Sequence, residues 1–228
     1  MGYQYRRSDD ALVGIVWHAE MEMAGSVTDA ANEFWGLGFA RDGQGRPSAD
    51  LIGPSVRPRS FDAEPGGRAW GVEFRPHVFL RHLPKRSLGQ EMVSLRTDGD
   101  VFELGGTTFP VPAVDDIETM VDSMHRAGVL SADAAVDAAL SGDDPGYSAR
   151  HLRRRTGAAV GLAPKQVDQL RRARRAHRLR LDGTTVAVAA VAAGYSDQAH
   201  LTRAFRRFGD MTPARIRHQA VDSFSSRP

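Results

Sequence analysis

The sequence predicts an α+β fold in which a strand-rich N-terminal part is followed by helices. Up to about residue 111, short alternating segments are separated by turns rich in Gly and Pro, which is typical of strands that close into a barrel or sandwich. From Val114 onward, apolar residues recur at helical spacing. The sign of the net charge also reverses near residue 147, which divides the chain into two parts.

The strands are predicted from alternation of apolar and polar side chains. Between Trp17 and Met23, apolar residues alternate with His18, Glu20 and Glu22, which is the two-residue period of a half-buried strand. Gly-containing pairs such as Asp98-Gly99 mark turns between strands. The predicted strands are 12–16, 17–23, 33–40, 69–74 and 101–109.

Two helices are predicted to follow the strands, over residues 115–127 and 131–140. In the first, four apolar residues share one helical face, and Ser131 is expected to cap the second. The residues on the shared face are Ile117, Met120, Val121 and Met124.

A domain boundary is predicted where Ser141-Gly-Asp-Asp-Pro-Gly interrupts the helical pattern. Residues 1–147 carry 13 Lys and Arg against 23 Asp and Glu, or −10, whereas residues 148–218 carry 16 against 4, or +12. Such a one-signed excess indicates a polyanionic partner, and nucleic acid is the leading candidate. We therefore predict a strand-rich domain at 1–141, an all-α domain at 142–218 and a tail at 219–228.

The all-α part contains four predicted helices with recognisable ends. Ser148 caps the first, Pro164 begins the second, Thr184 or Thr185 caps the third, and Ser196 caps the fourth. The four helices are 148–159, 164–181, 186–193 and 197–208.

The last two of these helices form a helix-turn-helix pattern, with Gly194 in the turn. The final helix is amphipathic, because Leu201, Ala204, Phe205 and Phe208 recur at helical spacing. Its opposite face carries Gln and Arg, which pair with the edges of adenine and guanine in the major groove. By pattern alone an ordinary solvated helix face is an equal alternative, and the charge excess favours DNA.

A long segment of this region reads Gly194-Tyr-Ser-Asp-Gln-Ala-His-Leu-Thr-Arg-Ala-Phe-Arg-Arg-Phe-Gly-Asp-Met-Thr-Pro-Ala-Arg-Ile-Arg217. This segment resembles the signature of the AraC/XylS-type transcription regulators. The resemblance covers about residues 146–217 and implies two helix-turn-helix units joined by a long helix. It also implies that the protein is a sequence-specific regulator that binds double-stranded DNA.

The resemblance assigns residues to DNA in both units. In the second unit, the exposed face of helix 197–208 would meet the major groove, and in the first unit helix 148–159 would do so. Arg171 on the long helix is expected to follow the DNA backbone. The second-unit residues are Gln198, Ala199, His200, Thr202, Arg203, Arg206 and Arg207, and the first-unit residues are Arg150, His151, Arg153 and Arg154.

The length of the joining helix agrees with this arrangement. A helix of 18 residues, 164–181, spans about 27 Å at ~1.5 Å per residue, while successive major-groove faces lie roughly 34 Å apart.

The first unit departs from the family's pattern in two places. Thr156 stands where the family usually has an aromatic residue, and Gly142 and Pro145 oppose a supporting helix over residues 138–145. We therefore expect base recognition to depend mainly on the second unit, and phosphate contacts on the first.

For the N-terminal domain, the resemblance implies a cupin-like β-barrel followed by helices, which senses a small-molecule effector or forms a homodimer. His18, Glu20 and Glu22 share a strand face, but a solvated polar face is favoured over a metal site, and we expect neither metal nor cofactor. The aromatic residues are assigned to the core rather than to an effector pocket. They are Trp17, Trp35, Phe39, Trp70, Phe74 and Phe79.

Several functional classes are excluded by what the sequence lacks. It contains no Cys, no G-x-S-x-G or H-E-x-x-H motif and no phosphate-binding loop with Lys, so we expect no enzyme. No apolar run approaches the roughly 20 residues of a membrane span, and no signal sequence is evident, so we expect a cytoplasmic protein. The alternative function is non-specific nucleic-acid binding, or a scaffold that uses the same basic face.

Overall fold

The computed structural model describes residues 2–21, 24–63, 65–83, 88, 92–209 and 212–213. Within them the strands come first and the helices follow, which confirms the α+β prediction. The strands are β1 (Gly2–Arg7), β2 (Val13–Met21), β3 (Gly25–Asp29), β4 (Gly36–Arg41), β5 (Pro47–Ile52), β6 (Arg59–Ala63), β7 (Gly67–Phe74), β8 (Val78–Leu80), β9 (Met92–Ser94), β10 (Thr97–Asp98), β11 (Val101–Leu104), β12 (Thr107–Pro110) and β13 (Leu130–Ala132). The helices are a 3-10 helix (Val114–Asp116), α1 (Ile117–Arg126), α2 (Ala134–Ser141), α3 (Ala149–Val160), α4 (Pro164–Leu181), α5 (Val186–Ala192) and α6 (Gln198–Gly209).

The main sheet is antiparallel and has the order β1-β2-β7-β4-β5-β9. In its centre Gly71 of β7 lies opposite Gly38 of β4 and Trp17 of β2. A Cβ on Gly71 would collide with the Leu37 carbonyl and lie 2.7 Å from the Trp17 ring, so the close packing of strands requires glycine there. Smaller sheets pair β10-β11-β12, β13-β8 and β3-β6.

The core of the strand-rich part is aromatic, as predicted. Trp35 stacks on Phe74 with ring centroids 4.3 Å apart, and its indole N–H donates to the Val78 carbonyl at 2.7 Å. Phe39 and Trp70 are also buried, whereas Trp17 and Phe79 are half-buried. Helix α1 covers this core with the four predicted apolar residues, all of them buried.

Several predicted strands have different bounds in the structure. Segments 12–16 and 17–23 are one continuous strand, β2, whose described part ends at Met21. Segment 101–109 is a hairpin, β11 and β12, because Gly105 and Gly106 both adopt positive φ and reverse the chain. Segment 33–40 is a strand only from Gly36, since residues 30–34 contact the helical part instead.

Two helices begin at a different cap from the predicted one. Ser131 lies in β13, and the side chain of Asp133 accepts the Ala135 and Val136 N–H groups to begin α2. At α6 the carboxylate of Asp197, rather than Ser196, accepts the His200 N–H at 2.6 Å. In both places a carboxylate next to the first turn provides the cap.

The strand-rich part contacts the helical part through residues 30–34. Ala30 and Ala31 belong to the apolar cluster formed by α4, α5 and α6, and the Ala31 N–H donates to the Phe208 carbonyl at 2.7 Å. The position of α6 is therefore set partly by a segment from the N-terminal part of the chain. In the part of the chain that the structure describes, no helix is both long and apolar enough to cross a membrane.

Candidate nucleic-acid interface

The second helix-turn-helix unit consists of α5 and α6, which pack against α4. Thr185 caps α5 by accepting the Val188 N–H, and Gly194 makes the turn with φ of +83°. Leu201, Phe205 and Phe208 form the buried stripe of α6, as the periodicity predicts. The opposite face of α6 is therefore presented to solvent.

That face brings together the second-unit residues predicted at DNA. Six of the seven are exposed: Gln198, Ala199, His200, Arg203, Arg206 and Arg207. Thr202 is half-buried, and its hydroxyl donates to the Gln198 carbonyl at 2.8 Å. With respect to the described residues, none of the three arginines forms an ion pair or donates a hydrogen bond, so their guanidinium groups are available to a ligand.

The N-terminal end of α6 is held by a small polar network. The His200 Nδ1 lies 3.2 Å from the Ser196 hydroxyl, and its ring packs edge-on against Tyr195. Asp197 accepts the His200 N–H and the Ser196 hydroxyl, and these bonds lower the pKa of its carboxyl. His200 is consequently fixed in place at the end of the exposed face.

The first unit consists of α2 and α3, which pack against each other. Helix α2 ends at Ser141, as Gly142 and Pro145 predict, but it begins at Ala134 and so supports α3 from an earlier position than the expected 138–145. The Arg155 guanidinium pairs with Asp133 at 2.8 Å and ties α3 to the start of α2. Burial alone would raise the pKa of Asp133, but the hydrogen bonds from Arg155 and the helix N–H groups lower it overall.

The predicted DNA residues of the first unit lie on α3, whose N-cap Ser148 accepts the His151 N–H at 3.3 Å. Arg150, Arg153 and Arg154 are exposed, while His151 is half-buried and stacks on Tyr147 with centroids 4.9 Å apart. The first unit therefore carries a second cationic helix face, on the helix that directly precedes α4 in the chain.

Helix α4 joins the two units over 18 residues, with the predicted bounds. Its arginines have different environments: Arg174 and Arg180 are buried, Arg172 is half-buried, and Arg171, Arg175 and Arg178 are exposed. Arg180 donates to the Pro213 carbonyl at 3.3 Å and to the Thr184 carbonyl. Part of the positive charge of this region is therefore structural.

Glu33, in the strand-rich part, forms ion pairs with α4 that the sequence analysis did not predict. Its carboxylate accepts two hydrogen bonds from Arg174, one of 2.6 Å, and lies 3.5 Å from the Arg171 Nε. Burial favours the neutral acid, but the Arg174 charge and hydrogen bonds outweigh it and lower the pKa of Glu33. Arg171, which is predicted to follow the DNA backbone, therefore lies beside Glu33, and 42% of its side chain is exposed.

No metal centre is formed by the residues that the structure describes, since no three His, Asp or Glu side chains are suitably grouped there. His18 and Glu20 lie on β2, and Glu22 lies outside the described residues. His77 is buried, and its Nδ1 lies 2.8 Å from Asp137.

Comparison with known proteins agrees with the helix-turn-helix geometry. A family model described as a helix-turn-helix domain matches residues 143–219. One similar solved structure is that of ToxT from Vibrio cholerae, with 6% sequence identity, coverage of 94% of this chain and 97% of that chain, and a TM-score of 0.43. A search of curated proteins gives no match. The matched range, which contains α3, α4, α5 and α6, is a helix-turn-helix domain of the AraC type.

Proposed function

We propose that the chain is a sequence-specific regulator that reads the major groove with the exposed face of α6. The observation that carries this proposal is the division of α6 into a buried apolar stripe and a solvent-facing row of Gln, His and Arg side chains. Arg pairs with guanine O6 and N7, and Gln with adenine N6 and N7, so the row contains the side chains that distinguish base pairs.

Helix α3 supplies the second point of contact. Arg150, Arg153 and Arg154 are exposed on it, and α4, which joins the two units, is about 27 Å long at ~1.5 Å per residue. Successive major-groove faces lie roughly 34 Å apart, and this similar length supports contact of both units with one side of a duplex. We assign phosphate contacts to α3, which add affinity and register.

We assign separate functions to the two proposed domains, residues 1–141 and 142–218. Helix α2 of the first domain contacts α3 of the second. We assign effector sensing or dimerisation to the strand-rich part, which has its own aromatic core. Light scattering of the purified chain tests the dimer, and a monomer at all concentrations would exclude it. The tail at 219–228 lies outside the described residues.

The test is selection of bound sequences from a random duplex pool with the full chain. One enriched site is the expected result. Arg203→Ala should then weaken binding to that site by about 1–3 kcal/mol and relax the preference at one position, whereas Arg175→Ala should lower affinity for all duplexes alike.

A matched control is Arg126→Ala, because Arg126 is an exposed arginine on α1 that pairs only loosely with Asp122 at 3.5 Å. It removes the same charge without touching the helical part and should leave binding unchanged. Binding without any enriched sequence would favour the non-specific alternative, and no binding to duplex DNA at moderate salt would favour the scaffold.

A further inference from the structure

A hollow of about 300 Å³ lies between α4 and α6, beside the exposed face of α6. It is open to solvent on one side of the helix, and its polar lining comes from both helices and from the turn before α6. The residues that matter here are Gln169, Arg172, Tyr195, His200, Arg203 and Arg207.

The hollow is cationic. Three of its lining side chains are arginines, and none of the described residues that line it is a carboxylate. Arg207 rests on the ring of Phe208 at 5.1 Å and has no acidic partner among the described residues. A concave surface with several guanidinium groups, and with no carboxylate among its described lining residues, is suited to an oxyanion.

Two lining groups are already held in place. The Arg172 guanidinium donates to the Gly194 carbonyl at 3.1 Å and lies over the Tyr195 ring at 5.5 Å, and its side chain lines the hollow with further N–H donors. Burial raises the pKa of Tyr195 to about 12, against the opposing effect of Arg172, so the phenol keeps its proton at neutral pH and remains a donor.

The size and polarity of the hollow favour a phosphate group over an apolar effector. Small-molecule pockets occupy about 300–1,000 Å³ and are lined mainly by apolar side chains. This hollow is at the lower end of that range, and most of its lining residues are polar or charged. A single phosphodiester group with its adjoining sugar matches these properties better.

The two flanks of α6 face different parts of a major groove. A helix with its side chains is about 10–12 Å wide, and the groove is about 12 Å wide, so a helix lying in it meets a sugar–phosphate strand on each side. His200 and Arg207 lie on the flank toward α4, which carries the hollow. Gln198 lies on the other flank, and Arg206 lies near the middle of the exposed face, about 100° around the helix from Arg207; neither lines the hollow.

We propose that the hollow binds one phosphodiester group of the DNA backbone, through Arg172, Arg207 and Gln169. Arg207 is then a phosphate contact that sets the depth and register of α6, while Arg206, its neighbour in sequence, faces the bases. This inference rests on the proposed function, because it requires α6 to lie in the major groove.

The first test compares Arg207→Gln with Arg206→Gln, which remove the same charge from two neighbouring positions of one helix, only the first of which lines the hollow. Binding of the full chain is measured by fluorescence anisotropy over a range of NaCl concentrations, on the selected site and on unrelated duplex. Arg207→Gln should weaken both equally, reduce the slope of log K against log salt by about 1, and leave the order of preferred sequences unchanged. Arg206→Gln should alter the preferred sequence.

The second test locates the phosphate. Single phosphates of the selected duplex are replaced one at a time by neutral methylphosphonate, and binding is measured for the parent and for Arg207→Gln. At one position, methylphosphonate should lower the affinity of the parent but lower that of Arg207→Gln only slightly further. The reason is that the variant already lacks the contact between Arg207 and that phosphate. Arg207→Lys should retain the salt slope, and Gln169→Ala should weaken binding at the same position with the slope unchanged.

The outcomes separate this inference from the proposed function. A parent that binds no duplex overturns both. A parent that binds a preferred site, with no methylphosphonate position coupled to Arg207, overturns the phosphate site alone, as does a change of base preference in Arg207→Gln. Stabilisation of the free chain by inorganic phosphate at constant ionic strength, without that coupling, would assign the hollow to a free anion and overturn the backbone contact.

Discussion

Replacing Glu33 with Gln should destabilise the chain strongly, because it breaks a buried ion pair at one partner. The Glu33 and Arg174 side chains are each 1% exposed, and Arg174 donates two hydrogen bonds to the carboxylate. Gln keeps the size of the side chain and leaves the Arg174 guanidinium buried without a counterion. Such a loss costs about 3–5 kcal/mol, which at roughly 2–4 °C per kcal/mol lowers Tm by about 6–20 °C.

The pair also has a pH signature. Although burial alone would raise it, the pKa of Glu33 is lowered overall from its ordinary 4.5 by Arg174. A carboxyl whose pKa is lower in the folded state contributes stability that is fully present above pH 4.5 and is lost as the pH falls through the folded-state pKa. The parent should lose this share of stability on acidification, and Glu33→Gln should not.

The assay is urea unfolding followed by circular dichroism, with Glu118→Gln as the control. Glu118 pairs at 2.6 Å with Arg6, whose side chain is 51% exposed, and its loss should cost less than about 1 kcal/mol. A double-mutant cycle adds Arg174→Met, and the double variant should be far more stable than the sum of the two single losses predicts. Equal losses in Glu33→Gln and Glu118→Gln, or an additive cycle, would refute the reasoning.

Three further predictions concern local structure. Gly71→Ala should lower the free energy of unfolding by about 1–3 kcal/mol in the same urea assay, since the added methyl collides with the Leu37 carbonyl and the Trp17 ring. Gly157→Ala, inside α3 with open space around its Cβ position, should raise it by about 0.5–1 kcal/mol, and a loss there would contradict the helical assignment. Ser148→Ala should cost about 1 kcal/mol by removing the α3 cap, whereas Ser148→Asp should retain most of that stability.

The helices could be predicted from sequence because the signals that define them are local. Pro164 at the first turn and the Asp182-Gly183 stop locate α4 to the residue. Ser148 and Gly161 locate α3 to within one residue, since the predicted range is 148–159 and the helix is Ala149–Val160. The two wrong caps, Ser131 and Ser196, arose where a carboxylate two or one residues later competes for the same N–H groups.

The strands were harder to predict because long-range pairing determines them. β1 and β6 contain charged or polar residues at most positions and exist by pairing with β2 and β3. The alternation rule applies only where one face is buried and the other solvated. It therefore detects β2 and misses edge strands such as β9, whose three residues are all exposed.

The sequence predicts which residues form the exposed face of α6, but it does not predict the residues that hold the helices in position. The exposed residues of α6 could be named because the apolar residues of the same helix recur at helical spacing and define its buried face, which leaves the opposite face to solvent. Glu33 could not be named, since it pairs with Arg174, 141 positions later in the chain. No local pattern distinguishes a carboxylate that will be buried from one that stays in water.

The number of cationic residues in the helical part is therefore larger than the number available to contact DNA. Arg174 and Arg180 are buried in the protein, and Arg155 is paired with Asp133, so these cations are occupied before any duplex arrives. The exposed cations without an acidic partner among the described residues include those on the faces of α3 and α6, together with Arg175 and Arg178 on α4. Because Ala31 contacts the end of α6 and Glu33 pairs with Arg174 of α4, the direction in which those exposed cations point depends on the strand-rich part as well as on the helix-turn-helix sequence.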